Sequence, residues 1–427
     1  MMIWVFFGVL FAFLFLGVPV AIAMLISSIA MMIVMGNFDT QIIAQNLING
    51  ANNFPLMAIP FFILAGEIMN AGGISRRVVD FAIKMVGHIR GGLGYVVILA
   101  GVLFAGLSGS AVADTAALGA MLIPMMAARG YDIKRSTGLV ASSGIIAGII
   151  PPSIPLILFG VVGGVSITQL FMAGIVPGIL FALGLMIAWY FVAKRNNYEK
   201  MPKASNKERL QAFAKAIWAL LLPVIIIVGL RGGIFTPTEA AVVAVVYALL
   251  ISMTVYRGEL KVNDLPQVFV NATKTTGVVM FLASAAMVTA WVITVAQIPA
   301  EVVGLLAGLT ESPLLLLLIL MIFLLLVGLV MDMTPAILIF TPILLPVIEA
   351  AGIHPVYFGI IMVMTLCIGL ITPPVGTVLY VGCGISKISI VDITKGIWPF
   401  LLAQIIILLI LIFVPELVLV PLEILTK

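Results

Sequence analysis

Oxygen-bearing side chains cluster in two short segments whose small residues and prolines interrupt long apolar stretches. The first segment reads GLSGSAVADT and places the hydroxyls of Ser108 and Ser110 near the carboxylate of Asp114. The second reads VMDMTP, in which Asp332 comes just before a Thr-Pro pair of the kind that starts helices. Because carboxylate and hydroxyl oxygens are ligands for hard cations, both segments are candidate cation sites. Bracing of the turn is an alternative role for Asp114.

Two further interruptions are pairs of consecutive prolines inside long apolar runs. They read GIIPPSIP at 148–155 and GLITPPVGT at 369–377. Two successive prolines remove two amide donors and stop a helix, so each run is predicted to be a broken helix. The C-terminal ends of the half-helices favour a cation, and the N-terminal ends favour an anion. A single proline is most often a plain kink, but four interruptions in two similar pairs indicate a binding site.

The elements that carry these segments belong to a chain that is too apolar to fold as a water-soluble protein. Of its 427 residues, 63% are hydrophobic and 9% are charged, whereas soluble domains have about 45–50% and about 25%. Several stretches exceed the roughly 18 apolar residues that mark a membrane span. This composition excludes soluble enzymes, nucleic-acid binders and secreted disulfide scaffolds, and it predicts an all-α polytopic membrane protein.

Apolar segments alternate with loops of very different charge. The predicted segments are 3–35, 55–70, 92–107, 111–128, 138–164, 168–193, 213–230, 235–255, 275–296, 313–331, 335–350, 357–383 and 397–420. Lys and Arg concentrate in the loops 71–91, 129–135, 194–215, 257–274 and 384–396, and they are absent from 36–54, 297–312 and 351–356. The positive-inside rule assigns the first group of loops to the cytoplasm and the second group to the outside.

Two pairs of short segments begin and end on the same side of the membrane under this assignment. The pair at 92–128 starts and ends at basic loops, and the pair at 313–350 starts and ends at loops without basic residues. Each arm is also short for a full crossing of about 20 residues. We therefore predict two re-entrant helical hairpins of opposite orientation, an N-terminus in the cytoplasm and a C-terminus outside. The amphipathic stretches 40–52 and 76–88 are expected to lie at the interface.

An internal repeat relates the two hairpins. A shift of 222 residues aligns eight Gly and Pro positions, including Pro151-Pro152 with Pro373-Pro374 and Gly106 with Gly328. The chain is thus predicted to contain two repeats of inverted topology, at 1–210 and 232–427, joined by a connecting transmembrane helix at 211–231. The first repeat has its broken helix at about 138–164, and the second has its broken helix at about 357–383.

Inverted repeats with interrupted helices are typical of secondary transporters, whose ion and solute sites lie where the interruptions meet. No Lys or Arg lies in the interior of a predicted segment. An anionic solute would therefore be held by half-helix N-termini, hydroxyls and bound cations. Because buried acids are few and no chain of carboxylates and histidines exists, the pattern favours Na⁺ over H⁺. A standalone Na⁺- or H⁺-coupled dicarboxylate carrier is the main alternative.

An enzymatic interpretation of the sequence depends on a match of four residues. Gly106-Leu107-Ser108-Gly109 fits the G-x-S-G pattern of intramembrane serine proteases, which need a histidine at membrane depth to activate the serine. The two histidines, His88 and His354, fall in loops predicted on opposite sides. No P-loop or H-E-x-x-H motif is present either. The sequence therefore predicts a transporter and no enzyme, with the protease as a remote alternative.

Several stretches resemble one transporter family along essentially the whole chain. They are AIPFF at 58–62 with AGEIM at 65–69, LSGSAVADT at 107–115, IIPPSIP at 149–155 and FTPTEA at 235–240. On these stretches the chain resembles the DctM-type large membrane subunits of tripartite ATP-independent periplasmic (TRAP) transporters, and most of all those for sialic acid (N-acetylneuraminate). The resemblance implies a Na⁺-coupled importer of organic acids that works by an elevator motion, similar to other members of the ion-transporter superfamily.

The resemblance also implies where the ions and the solute bind. About two Na⁺ ions are expected, as transported ions. One would be held by Ser108, Ser110, Gly148 and the carbonyls near Pro151 and Pro152, and the other by Asp332, Thr334, Gly369, Thr372 and the carbonyls near Pro373 and Pro374. The solute would lie between them, against Gly109, Ser110, Ser153, Thr334 and Thr377.

The partners implied by the resemblance are two separate polypeptides. One is a small four-helix membrane subunit of the Q type, and the other is a soluble periplasmic substrate-binding protein of the P type. The expected location is the inner membrane of a bacterium, with the chain embedded in the lipid bilayer. No interaction with nucleic acid is expected.

Overall fold

A computed structural model describes residues 2–306, 308 and 312–426, and throughout these ranges the regular elements are helical. The helices in the first half are α1 Met2–Phe15, α2 Val20–Val34, α3 Thr40–Ala51, α4 Ala58–Ala71, α5 Ile74–Val86, α6 Gly92–Ser108, α7 Ala111–Ala128, α8 Ile133–Gly144, α9 Ile154–Gly163 and α10 Ile167–Asn196. Those in the second half are α11 Asn206–Arg231, α12 Pro237–Leu250, α13 Leu265–Val295, α14 Ile298–Leu305, α15 Pro313–Val330, α16 Met333–Ala350, α17 Pro355–Gly369, α18 Thr377–Ser386, α19 Ile390–Phe413 and α20 Glu416–Thr426.

Nine helical stretches within the described residues are long and apolar enough to cross a membrane. Many of their large side chains are exposed, among them Phe191 at 65% and Val278 at 70%. Exposed apolar side chains at this density need a lipid environment because water would not solvate them favourably. The prediction of an all-α polytopic membrane protein is confirmed.

Two predicted spans are each divided in the structure. The segment 3–35 forms α1 and α2, which pack against each other across a turn where Gly17 has φ +79°. The segment 397–420 is interrupted before Pro415, and α20 then packs against α10. The single crossing predicted for 3–35 is therefore wrong, because a glycine in the left-handed region followed by Pro19 stops the helix. The assignment of the N-terminus to the cytoplasm assumed that 3–35 crosses the membrane once. It remains a prediction.

Both predicted hairpins and both broken helices are present. Helices α6 and α7 meet at Gly109-Ser110, and α15 and α16 meet at Met331-Asp332. Helices α8 and α9 are separated by Pro151-Pro152, and α17 and α18 by Pro373-Pro374; each of the two Pro-Pro bonds is cis. The 222-residue shift carries α7 onto α16 residue for residue, so the two halves share one order of elements. The repeat boundaries at 210 and 232 stay a prediction.

The two halves are packed across each other rather than side by side. Helix α7 of the first half packs against α18 of the second, and α16 of the second packs against α9 of the first. Likewise α2 packs against α13, and α12 packs against α4. This exchange places each hairpin next to the broken helix of the other half. Part of the predicted outer loop 297–312 lies outside the described residues.

Candidate functional site

All four interruptions contribute to one cavity of about 280 Å³. The first hairpin tip supplies Ser108 to Ala113, and the second supplies Asp332, Met333 and Thr334. The first broken helix adds Ile154 and Pro155, and the second adds Leu370. Segments more than 200 residues apart in sequence therefore meet at one place.

The first hairpin tip is pressed against the first broken helix. Gly109 has φ +63°, and a Cβ atom built on it would lie 2.4 Å from the carbonyl oxygen of Pro152. The carbonyl of Gly109 accepts a hydrogen bond of 3.5 Å from the amide of Ile154. Only glycine fits this position, because the backbone is left-handed and the Pro152 carbonyl occupies the space of a side chain.

Ser108 and Asp114 form a buried polar pair behind that tip. The hydroxyl of Ser108 donates to Asp114 Oδ1 and accepts from the amide of Ser110 at 3.1 Å. Asp114 Oδ2 and the neighbouring Thr115 Oγ1 are buried and have no hydrogen-bond partner among the described residues. An unpartnered carboxylate oxygen is costly in a low-dielectric interior, and a cation bound to Asp114 Oδ2 would remove that cost.

Ser110 and Asp332 occupy equivalent positions at the two tips. Ser110 caps α7, since its hydroxyl accepts from the amide of Ala113 at 3.4 Å. Asp332 caps α16 through the amide of Thr334 at 3.4 Å, and its other oxygen accepts from the hydroxyl of Thr377 at 3.2 Å. Both side chains also line the cavity. The carboxylate of Asp332 therefore links the second tip to the start of α18.

The predicted site residues divide into two groups. Those that line the cavity are Ser108, Gly109, Ser110, Asp332 and Thr334. Those that do not line it are Ser153, Thr377, Gly148, Pro151, Pro152, Gly369, Thr372, Pro373 and Pro374. Most of the second group are nevertheless structural neighbours of the tips, because Pro152 abuts Gly109 and Thr377 binds Asp332.

Ser153, predicted to contact the solute, forms two hydrogen bonds within the broken helix. The side chain is fully buried, donates to the carbonyl of Gly148 at 2.6 Å and accepts from the amide of Leu156 at 3.3 Å. It therefore bridges the two half-helices and caps α9. In the second broken helix, the hydroxyl of Thr372 donates to the carbonyl of Ile368 at 2.6 Å. Both hydroxyls hold the interrupted backbone in place.

The two halves touch directly behind the cavity. The thiol of Cys367 lies 3.5 Å from the sulfur of Met333 at the second tip. A Cβ atom on Gly148, in the first broken helix, would lie 2.5 Å from the Cys367 sulfur. In the same region Gly369 packs against Gly328 so closely that a Cβ atom would lie 2.7 Å from the Gly328 Cα. These contacts couple the positions of the interruptions.

Gly148→Ala tests that contact. We expect the substitution to lower the free energy of unfolding by about 1–3 kcal/mol, the usual cost of overpacking, and Gly148→Ala/Cys367→Ala to recover most of the loss. Thermal unfolding in detergent, with the Cys367→Ala single variant completing the cycle, measures the coupling. Gly277→Ala is the control because its Cβ would meet nothing within 4 Å. Additive effects of the two substitutions would contradict the contact.

Sequence reasoning missed one wall of the cavity. Ile63, Gly66, Glu67 and Asn70 of α4 line it, together with Thr275 and Val279 of α13. Their spacing of three and four residues puts each set on one face of its helix, which is the signal that could have identified them. Glu67 is half-buried in this wall.

The charge of the cavity wall is negative. The described residues that line it include the carboxylates of Glu67 and Asp332 and no Lys or Arg. Glu67 and Asn70 lie in the last two turns of α4, just before the basic loop 71–91, and Thr275 follows Lys274 near the start of α13. The cavity therefore extends from the tips towards the side that carries the basic loops.

Comparisons with known proteins agree with this architecture. Residues 7–417 match the family described as Tripartite ATP-independent periplasmic transporter, DctM component. The chain is similar to the crystal structure of the Alcanivorax borkumensis YdaH transporter, described as having an unusual topology, with a TM-score of 0.61, 14% sequence identity and 86% of each chain covered. At that identity the likeness concerns the fold alone.

Three curated relatives cover nearly the whole chain. A Haemophilus influenzae protein provisionally named a TRAP transporter large permease is 58% identical over 94% of this chain and 99% of its own. The 2,3-diketo-L-gulonate TRAP transporter large permease YiaN of Escherichia coli is 50% identical over 99% of each chain. The sialic acid TRAP transporter large permease SiaM of Vibrio cholerae is 38% identical over 94% of each chain. The chain thus belongs to the DctM family and is the large permease, a transport subunit rather than an enzyme, of a TRAP transporter.

Proposed function

We propose that this subunit imports a sugar-derived organic acid together with Na⁺. The observation that carries the proposal is the cavity lined by all four interruptions, with the carboxylate of Asp332 at its wall and no cationic side chain among the described residues that line it. A cavity of that charge repels an acid unless bound cations neutralise it. Coupling to Na⁺ therefore supplies the charge that the protein itself lacks.

We propose two cation positions from the arrangement of the polar oxygen atoms. The first is the buried pair of Ser108 and Asp114, where Asp114 Oδ2 is unpartnered. The second is formed by Asp332 with the half-buried Thr334 and Thr377. The carbonyls around Pro151-Pro152 and Pro373-Pro374, with Gly148, Gly369 and Thr372, would complete the coordination in this proposal.

The solute class rests on the relatives' names. YiaN is named for 2,3-diketo-L-gulonate and SiaM for sialic acid, and the identity to YiaN is the higher of the two. Both solutes are sugar-derived acids with one carboxylate and several hydroxyls. We propose a solute of this class rather than sialic acid specifically, with its carboxylate near the N-terminal ends of α7 and α16, where Ser110 and Thr334 line the cavity.

An elevator motion suits the packing of the two halves. The hairpins pack against the opposite broken helices, whereas α2, α4, α12 and α13 pack among themselves in crossed pairs. We propose that the first group moves as a unit against the second. Because the cavity extends towards the basic loops, the conformation described is the one open to the cytoplasm, and α4 and α13 form the stationary wall.

The family's description as tripartite implies two further components. We propose a small membrane subunit and a periplasmic substrate-binding protein, which would deliver the solute to the outward-open cavity. Location in a bacterial inner membrane, with the basic loops in the cytoplasm, belongs to the same proposal.

Reconstitution tests the proposal. In proteoliposomes that contain this chain and its small subunit, uptake of radiolabelled 2,3-diketo-L-gulonate or sialic acid is expected only with the binding protein outside and an inward Na⁺ gradient. Uptake by this chain alone on a proton gradient would refute the tripartite, Na⁺-coupled version and favour a standalone carrier. Screening the binding protein against sugar acids by calorimetry identifies the solute independently.

Ser108→Ala tests the first cation position. The substitution removes the partner of both Asp114 and the Ser110 amide. We expect the half-saturating Na⁺ concentration to rise about tenfold, which corresponds to ~1.4 kcal/mol, with little change in the unfolding temperature. Ser27→Ala is the matched control, since Ser27 is also buried and its hydroxyl bonds only its own helix. An unchanged Na⁺ dependence in Ser108→Ala would remove Ser108 from the site.

A further inference from the structure

A second polar pocket, separate from the transport cavity in its lining residues, lies at the end of the molecule that carries the basic loops. Its volume is about 500 Å³, and it is bounded by α5, the first half of α11 and the segment that follows α12. Its walls include Arg76, Arg77, Lys215, Trp218, Tyr256 and Glu259. None of its lining residues lines the transport cavity. The transport proposal assigns it no role.

One wall of this pocket is rigidly constructed around Arg77. The guanidinium carbon lies 3.9 Å from the centre of the Tyr256 ring, a cation–π contact. The same side chain donates to the carbonyl of Gly73 at 2.7 Å and lies 3.5 Å from a carboxylate oxygen of Glu259. The hydroxyl of Tyr256 donates to the carbonyl of Lys215 at 2.5 Å. Three separate elements are thereby fixed around the pocket.

Two further cations face the pocket without a partner. The side chains of Arg76 and Lys215 are exposed and form no ion pair among the described residues. Glu259 is already engaged by Arg77, so Asp80 alone opposes these two charges. The pocket therefore presents an excess of positive charge with five guanidinium donors on Arg76 free for an anion.

Apolar surface adjoins the charged pocket. Trp218 is 40% exposed and Val255 is 43% exposed at its edge, and Met253 and Leu250 continue the exposed apolar surface along α12. Tryptophan beside basic side chains is typical of the membrane–water interface. A soluble anion such as phosphate would need only the charges, whereas a lipid uses both the charges and the apolar strip.

We propose that this pocket binds the headgroup of an anionic phospholipid of the cytoplasmic leaflet. The phosphate lies between Arg76 and Lys215, with Arg77 held in place behind it by Tyr256. The acyl chains follow the exposed side chains of α12 towards the membrane interior. Basic pockets between helices at the cytoplasmic surface are the usual binding sites for such headgroups. The inference is independent of the transported solute.

Native mass spectrometry of the complex with the small subunit tests the assignment. The complex is equilibrated in micelles that contain equal amounts of phosphatidylglycerol and phosphatidylcholine of the same acyl chains. The unaltered complex is expected to retain phosphatidylglycerol, and Arg76→Gln/Lys215→Gln is expected to lower occupancy of the tightest site about tenfold. The control Lys200→Gln/Lys203→Gln removes two exposed cations from the neighbouring loop and is expected to retain the lipid within about twofold.

Three results would overturn the lipid assignment. Equal retention of phosphatidylglycerol by Arg76→Gln/Lys215→Gln and by the control would mean that the pocket is not the lipid site. The same result is expected if the small subunit covers the pocket. Equal retention of phosphatidylcholine would remove the role of charge. Displacement of the lipid by millimolar inorganic phosphate would identify a free anion as the occupant. Unfolding temperatures of both double variants establish that each is folded.

Discussion

Asp332→Ala is expected to lower Na⁺-dependent uptake about 100-fold, the largest effect of any single side chain in the cavity. The substitution removes the only carboxylate at the second tip, together with the acceptor for the Thr377 hydroxyl and the Thr334 amide. Hydrogen bonds to a charged group contribute about 1.5–3 kcal/mol, and a 100-fold loss corresponds to ~2.7 kcal/mol. Initial uptake rates at several Na⁺ concentrations measure the effect.

Two matched variants separate the role of charge from that of helix capping. Asp332→Asn keeps one oxygen to accept from the Thr334 amide, and its NH2 group can donate to the Thr377 hydroxyl, but the charge is lost. This variant is therefore expected to fold normally and still need much more Na⁺. Asp39→Asn alters an equivalent cap, since Asp39 accepts from the Gln41 amide at 2.7 Å at the exposed start of α3. Its uptake is expected to stay within about twofold. Full activity in Asp332→Asn would show that Asp332 serves only as a cap.

Gly109→Ala is expected to reduce uptake at least tenfold. The added Cβ atom would lie 2.4 Å from the Pro152 carbonyl oxygen, so the first tip must move away from the broken helix. That movement displaces Ser108 and Ser110, and binding sites tolerate only about 0.5 Å of such displacement. The measurement is the initial uptake rate at saturating Na⁺, with protein amount determined in the same vesicles.

Gly130→Ala is the control for backbone strain. Gly130 has φ +75°, close to that of Gly109, but a Cβ atom there would meet nothing within 4 Å. Both variants carry the cost of an L-residue in the left-handed region, about 1–2 kcal/mol, and only Gly109→Ala adds the collision. We expect Gly130→Ala to transport normally. Equal losses in the two variants would show that the contact with Pro152 is unimportant.

The sequence by itself determined the membrane class and the positions of the interruptions. Composition, loop charge and the 222-residue repeat can be read directly from the sequence. Pro-Pro pairs and a Thr-Pro start act locally, on the helix that contains them. The same locality explains one failure. The prediction of a single span at 3–35 relied on hydropathy, which does not register that Gly17 and Pro19 end a helix inside an apolar run.

The residues that line the cavity could be predicted only in part. Ser108, Ser110, Asp332 and Thr334, which line it, were proposed because polar oxygens at helix interruptions are expensive in lipid unless they bind something. Ser153 has the same chemistry and a similar position, yet its hydroxyl is used to hold the broken backbone at Gly148 and Leu156. Ser110 and Ser153 thus both cap a helix, and only the packing around them decides that Ser110 lines the cavity and Ser153 does not.

Only the tertiary structure decided which surfaces face the cavity and what lies behind it. The wall formed by Glu67, Asn70 and Thr275 comes from α4 and α13, whose inward faces depend on packing between elements about 200 residues apart. The contact of Gly148, Cys367 and Met333 likewise joins three interruptions that no sequence pattern connects. Sequence patterns report the preferences of single segments, whereas the cavity arises from the crossed packing of the two halves, and that packing is a property of the folded chain.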